Sequence, residues 1–307
     1  MTRLEALGGQ TSKVTAPRRN LRRVFEPYVF ILPTVIILIT LLIYPLFYTL
    51  QASLSNFDTF TFSPATFAGF RHYERVLQDN NFWSSVRVTA AYLLAALPLQ
   101  LALGVSIAFL ISVQWPGSKI VRALFIIPMV VTPVVAGSMW KMLLDPLWGY
   151  VNYLLTLIGG KPVLWLADTN LALISVVIID TWRWTPFIIL IILAGIVSLD
   201  PEPVEAAKVD GANWLQRFVY VILPMLRPVI LSAFLVRWLG AIKMFDIIYT
   251  ATGGGPGNAT EVINMYIYDT AFRSLSFERA SAMSVLMVLA AFAFTFLFIR
   301  FSHWVER

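Results

Sequence analysis

Six apolar runs, at residues 28–50, 88–113, 120–143, 171–199, 228–250 and 282–301, fix the terms on which this chain can fold. Each is close to the length a helix needs to cross a bilayer. In hydrocarbon no water satisfies a bare N–H or C=O, so such a run folds as a helix that closes its hydrogen bonds within itself. Composition agrees: 58% of the 307 residues are hydrophobic and 13% charged, about half the charge of a soluble domain. The expectation is an all-α membrane protein with six transmembrane helices. The formal charge of +6 fits that reading and gives no nucleic-acid signal, because basic residues near span ends hold orientation. The chain has no cysteine, which excludes disulfides and thiolate metal sites.

Residues 1–27 are polar and basic. The run after them is longer than the core of a cleaved signal peptide and reads as an uncleaved first span. Six spans put both termini on one side. The segments on that side, 200–224 included, hold thirteen lysines and arginines, the opposite segments seven, and the spans three. The excess makes the termini and 200–224 cytoplasmic, with 303–307 a cytoplasmic tail and 88–302 the core. Segments 51–87, 144–170 and 258–280 become outer loops. In the second of these, Leu147, Val151, Leu154, Leu155 and Ile158 recur at helical spacing. They predict a short helix along the membrane surface, with Trp148 and Tyr150 at headgroup level. Gln114 to Lys119 reads as a turn around Pro116-Gly117. Pro128 and Pro133 are expected within one span, where neighbours satisfy the freed carbonyls.

Five charges fall in or near the runs: Asp180, Arg183, Arg237, Lys243 and Asp246. A charge at the centre of a membrane helix costs about 2.5–3.5 kcal/mol, so these side chains should face the bundle interior, a partner subunit or water. Asp180 with Arg183, and Lys243 with Asp246, stand three apart on one helix face and could pair locally. Two readings stay open: structural ion pairs, or the lining of a polar translocation path. Trp182, Arg183, Trp184 and Pro186 give the second its shape. An indole face suits the apolar face of a sugar ring, a guanidinium offers a fixed fork of donors, and proline kinks the helix. Residues two apart diverge on a helix, so at most one of the tryptophans should see solute.

The longest polar interval in the second half runs from Glu205-Ala206-Ala207-Lys208-Val209-Asp210-Gly211 to Leu223-Pro224. Pro201 and Pro203 suit a helix start, and Glu202 and Glu205 suit its first turn. Gly211 can take the left-handed conformation that ends the helix. Trp214, Leu215, Phe218 and Ile222 predict a second helix, which Pro224 closes. On periodicity alone an ordinary solvated loop is an equal reading. Elsewhere, Gly159-Gly160-Lys161-Pro162 lacks the frame of a phosphate-binding loop. His72 and His303 are isolated from any metal spacing, and Asn258-Ala259-Thr260 is too short a pattern to carry glycosylation.

The interval resembles the EAA loop of ATP-binding-cassette importer permeases: Glu-Ala-Ala, three residues, Gly, nine residues, an aliphatic residue, one more, then Leu-Pro. Val221 stands where that family usually shows isoleucine. Phe245-Asp246-Ile247-Ile248-Tyr249, Thr252 to Pro256, Tyr266-Ile267-Tyr268 and Trp182 to Phe187 are similar to one permease subunit of carbohydrate importers of the maltose and glycerol-3-phosphate type, from about residue 28 to the end. The resemblance implies a type I ABC importer permease fold in the bacterial cytoplasmic membrane. It also implies a second homologous permease, two ATPase subunits that hold ATP and Mg, an extracytoplasmic solute-binding protein, and surrounding lipid. No cofactor is expected on this chain, and no catalytic residue. Glu205, Ala206, Ala207, Asp210, Gly211, Leu223 and Pro224 would couple to the ATPase; Trp182, Arg183, Trp184, Phe245 and Asp246 would line the solute path. The solute class stays as wide as disaccharides, polyols, sugar phosphates and sugar sulfonates. The rival is an ion- or proton-coupled secondary transporter, which the buried charges allow but which needs no ATPase dock.

Overall fold

The computed structural model describes residues 21–58, 63–112 and 116–305. Most of the basic N-terminal segment, the turn residues Gln114 and Trp115, and the last two residues lie outside the described residues. Two compact units divide the chain, Met1–Tyr48 and Thr49–Arg307.

In the first unit, α1 (Leu21–Leu38) continues through a π-helical turn, Ile39–Ile43, into α2 (Tyr44–Ser53), whose last turn belongs to the second unit. The turn precedes Pro45, whose ring and missing N–H disturb the preceding ladder, and the Tyr44 N–H reaches Ile39 O, five residues back. Side chains from Phe30 to Phe47 are exposed. A helix apolar on all faces is built for lipid or for another membrane helix.

The second unit opens with structure where the sequence suggests a loop. Within 51–87, β1 (Ser55–Asp58) and β2 (Ser63–Phe67) form an antiparallel ribbon with an irregularity at Asn56/Phe57. Next come α3 (Arg71–Leu77) and the first turns of α4 (Asn80–Ser112). The second span therefore starts well before residue 88. Asp79 explains the early start, since its Oδ1 accepts the Asn81 N–H at 2.9 Å and so satisfies a free donor of the first turn.

The third span is broken. α5 (Ser118–Val130) and α6 (Pro133–Leu143) meet at 99°. Thr132 sits before Pro133, which disfavours helical geometry there, and its backbone is extended at φ −63°, ψ 149°. α7 (Tyr150–Leu157) is the short helix expected in the second outer loop, with Trp148 and Tyr150 exposed. α8 (Leu171–Ser198) packs most closely on α4. A Cβ built at Gly104 would stand 2.5 Å from Ile188 Cγ2, so only glycine admits this approach.

The polar interval holds α9 (Glu202–Val209), α10 (Trp214–Arg217) and α11 (Leu223–Met225). Then follow α12 (Arg227–Ala241), α13 (Asp246–Ala251), α14 (Ile263–Tyr268), a π turn at Asp269–Arg273, and α15 (Phe277–Val305). The fifth apolar run does not hold to residue 250 as one helix. It stops at Ala241, and Asn264 Nδ2 donates to Ile242 O at 2.7 Å and to Met244 O at 3.3 Å. A side-chain amide thus takes over carbonyls that a continuing helix would have used. Four described helices are long and apolar enough to cross a membrane. Two bent pairs, Ile120–Val130 with Pro133–Leu143 and Trp214–Met225 with Arg227–Ala241, bring this to six if each pair is one span.

Candidate functional site

The candidate residues fall in two places in the second unit. The first lies inside the bundle, where α4, α8 and α12 meet. Asp180 Oδ2 accepts from Tyr92 OH at 2.6 Å and from Gln100 Nε2 at 2.8 Å, and forms an ion pair with Arg237. Arg237 Nε donates to Gln100 Oε1 at 2.6 Å, and its terminal nitrogen reaches Tyr92 OH at 3.3 Å. All four residues are within 2% of full burial. Asp180 Oδ1 has no hydrogen-bond partner among the described residues.

This arrangement corrects the expected local pairs. Asp180 does not pair with Arg183, and no ion pair joins Lys243 to Asp246 among the described residues. The carboxylate faces the interior, where two helices supply three donors; Arg183, three residues on, is turned elsewhere. Its Nε donates to Val131 O at 3.0 Å, a carbonyl freed by the break between α5 and α6. Lys243 and Asp246 are both exposed, beside the break after α12.

The guanidinium carbons of Arg183 and Arg237 each lie 4.8 Å from the Trp184 ring centroid, within cation–π range. Trp182 diverges from Trp184. It meets Trp140 edge-on at 5.7 Å and lines an apolar cavity of about 500 Å³ with Leu103, Phe125, Pro128, Thr181 and Pro186. Phe245 packs on Tyr249 at 5.3 Å and Tyr268 at 5.0 Å. Of the expected path residues, the structure brings together Arg183 and Trp184. It adds Tyr92 and Gln100, which the sequence reading passed over. Gln100 was findable as an isolated amide inside an apolar run; Tyr92 gave no signal.

The second place is the exposed elbow of α9 and α10. Asp200 Oδ1 accepts the Glu202 N–H at 3.1 Å, and Pro201 O accepts the Glu205 N–H at 2.9 Å. Gly211 has φ +82°. Around it the Ala212 N–H reaches Ala207 O at 3.0 Å and the Gly211 N–H reaches Lys208 O at 3.2 Å. These are the two bonds of a Schellman end. Asn213 and Gln216 then exchange side-chain and backbone bonds at 2.8 and 2.9 Å, a capping box that starts α10 at once. Glu205, Ala206, Asp210 and Gly211 are exposed and Ala207 is half-buried.

Pro224 does not close the second helix. Its missing N–H is absorbed by a π turn, Phe218–Ile222, in which the Leu223 N–H bonds Phe218 O. The helix runs on to Met225 before bending by 66° into α12. Leu223 is half-buried and Pro224 exposed at that bend.

A helical membrane bundle with a polar interior and a rigid exposed elbow is the build of a solute permease. The family described as binding-protein-dependent transport system inner membrane component matches residues 100–307. A probable ABC transporter permease of Sinorhizobium fredii is 41% identical, with 91% of each chain covered. The trehalose/maltose transport system permease protein MalF of Thermococcus litoralis is 33% identical over 89% of this chain and 92% of its own. The sulfoquinovosyl glycerol transport system permease protein SmoG of Agrobacterium fabrum is 31% identical over 87% of each. A chain of the bacterial alginate ABC transporter, solved with an alginate pentasaccharide-bound periplasmic protein, superposes with a TM-score of 0.83. It is 22% identical and covers 94% of this chain and 97% of its own. The fold is thus that of a type I ABC importer permease. This chain belongs to the binding-protein-dependent transport system inner membrane components, and is a multi-pass permease subunit of the inner membrane.

Proposed function

We propose that this permease moves a sugar or sugar-like solute, a class spanning disaccharides, polyols, sugar phosphates and sugar sulfonates, into the cytoplasm by alternating access. It does so with a second homologous permease, two ATPase subunits that bind ATP and Mg, and an extracytoplasmic solute-binding protein. Both termini and the elbow are cytoplasmic. Relatives named for trehalose/maltose and sulfoquinovosyl glycerol support the solute class, and Trp184 beside Arg183 offers a flat apolar ring next to a fork of donors. Phe245 and Asp246 complete the proposed path, and Trp182, turned away from Trp184 toward Trp140 and the apolar cavity, stays outside it.

The observation that carries the ATP-driven reading is the elbow. Its exposed residues include Glu205, Ala206, Asp210 and Gly211, with Ala207, Leu223 and Pro224 fixing its two ends. A proton- or ion-coupled carrier has no use for such a knob. The test is Gly211→Val in the purified complex. No atom lies within 4 Å of an added Cβ, so the cost is backbone strain of about 1–2 kcal/mol and not a clash. The variant should insert and pair with its partner permease. It should lose stable ATPase association, or lose the rise in ATP turnover that loaded binding protein causes. Wild-type association, stimulated turnover and uptake together would remove the elbow from the coupling role.

A further inference from the structure

The elbow lies in sequence between α8 and α12, so both helices follow it through the backbone. α4 has no such link, yet it supplies Tyr92 and Gln100 to the network that Asp180 of α8 and Arg237 of α12 complete. For the three helices to move as one body, α4 must also be held near the elbow. One buried side chain on α4 meets that need. Phe109, 6% exposed, stacks on Phe218 with ring centroids 3.9 Å apart and lies 4.4 Å from Trp214. Nearby, Ile222 packs against the cluster that includes Ala108 and Ile111. Phe109 follows Gln100 by nine residues, about 14 Å along the helix. α4 is therefore gripped at two levels, by hydrogen bonds inside the bundle and by aromatic packing at the elbow. Gly104, seated against Ile188 between them, keeps α4 and α8 in register.

We propose that Phe109 is a positioning residue for transport: it makes α4 follow the elbow, so that the network around Asp180 moves without shearing. The proposal rests on the coupling role given above to the elbow. It concerns how movement reaches the one helix of the network that the elbow does not join directly.

The test uses the complete complex in proteoliposomes with loaded binding protein. Phe109→Ala should assemble and keep stimulated ATP turnover, while solute moved per ATP falls about tenfold. Phe109→Leu, which keeps most of the buried volume, should recover most of that ratio. A purely structural role would lower assembly, turnover and uptake together and leave the ratio unchanged; that result overturns the proposal. A second measurement needs no change at Phe109. The chain has no cysteine, so nitroxide labels can be placed at Leu110 and Val209, both exposed. Their separation should stay constant through the ATP cycle, and a change in it would also overturn the grip. Wild-type association, stimulated turnover and uptake in Gly211→Val would instead sink the coupling role of the elbow, a distinct failure.

Discussion

The molecule builds one constellation twice. Inside the bundle, Asp180 accepts from the Tyr92 hydroxyl and pairs with Arg237. Just ahead of α4, Asp79 accepts from the Tyr266 hydroxyl at 2.5 Å and from Arg279 at 2.7 Å. Each aspartate draws together three separate parts of the chain. The surroundings differ. The side chains of Arg237 and Asp180 are 1% and 0% exposed, those of Arg279 and Asp79 32% and 17%. The outer carboxylate uses both oxygens, with Oδ1 on the Asn81 N–H, whereas the inner one has Oδ1 unpartnered among the described residues. The same residue types thus do different work. At the rim, water takes over when a partner is lost. In the bundle nothing does, so the inner aspartate depends on its arginine as the outer one does not.

Removing one inner charge should have the largest effect. Asp180→Ala leaves Arg237 buried and unpaired, at a cost of about 3–5 kcal/mol, and thermal unfolding in detergent should show a sharply lowered midpoint. Replacing both members by leucine should recover part of the loss, because the unpaired charge is gone, while the buried Tyr92 hydroxyl and Gln100 amide, which lose their partners, keep the rest. A double variant as unstable as the single one would put the cost in packing, and the contrast between the two clusters would collapse. Asp79→Ala should cost less, about 1 kcal/mol, and the loss should shrink between 0.1 and 1 M salt as screening shortens to about 3 Å. An effect equal to that of Asp180→Ala, or indifferent to salt, would count against the dielectric explanation.

What could be read in advance divides along the same line. The helices of the elbow were legible as one of two equal readings, a solvated loop being the other, because their signals are local: Pro201 and Pro203 at the start of α9, carboxylates in its first turn, glycine at its end. The backbone obeys these without outside help. The partner of Asp180 was not legible, because Arg237 lies on another helix and only the packing of α4, α8 and α12 decides which faces meet. Spacing alone favoured Arg183, whose guanidinium went to the freed carbonyl of Val131. The breaks were half legible. Pro133 is tolerable in a span, but its restriction on Thr132 is the stronger consequence. Nothing near Ala241 announces the stop there, since the side chain that donates to the freed carbonyls, Asn264, comes twenty-odd residues later. The early start of α4 hid behind Arg87, which hydropathy penalises and an interfacial helix turn tolerates. The ribbon at 55–67 lay in a segment with no clean alternation to reveal it.

The smallest effect should come from Tyr266, and it probes the outer cluster by pH. Its hydroxyl pKa is pushed up to about 12 from the usual 10, first by burial, then by the hydrogen bond to Asp79 and that carboxylate's charge, with Arg279 opposing. The fold therefore favours the neutral phenol. A raised pKa of this kind adds stability that is complete below about pH 10 and is lost as the pH climbs through about 12. Tyr266→Phe removes both the bond and the titration. Because the ring is only half-buried, the variant should be less stable than wild type by about 0.5 kcal/mol near pH 8. The gap should then close as the pH rises from 10 toward 12, while the remaining tyrosines and lysines titrate alike in both proteins and cancel. Unfolding curves recorded across that window decide the matter. A gap that stays constant would mean that the Tyr266 hydroxyl is not held neutral by Asp79. A gap as large as that of Asp180→Ala would mean that the rim is no better solvated than the bundle.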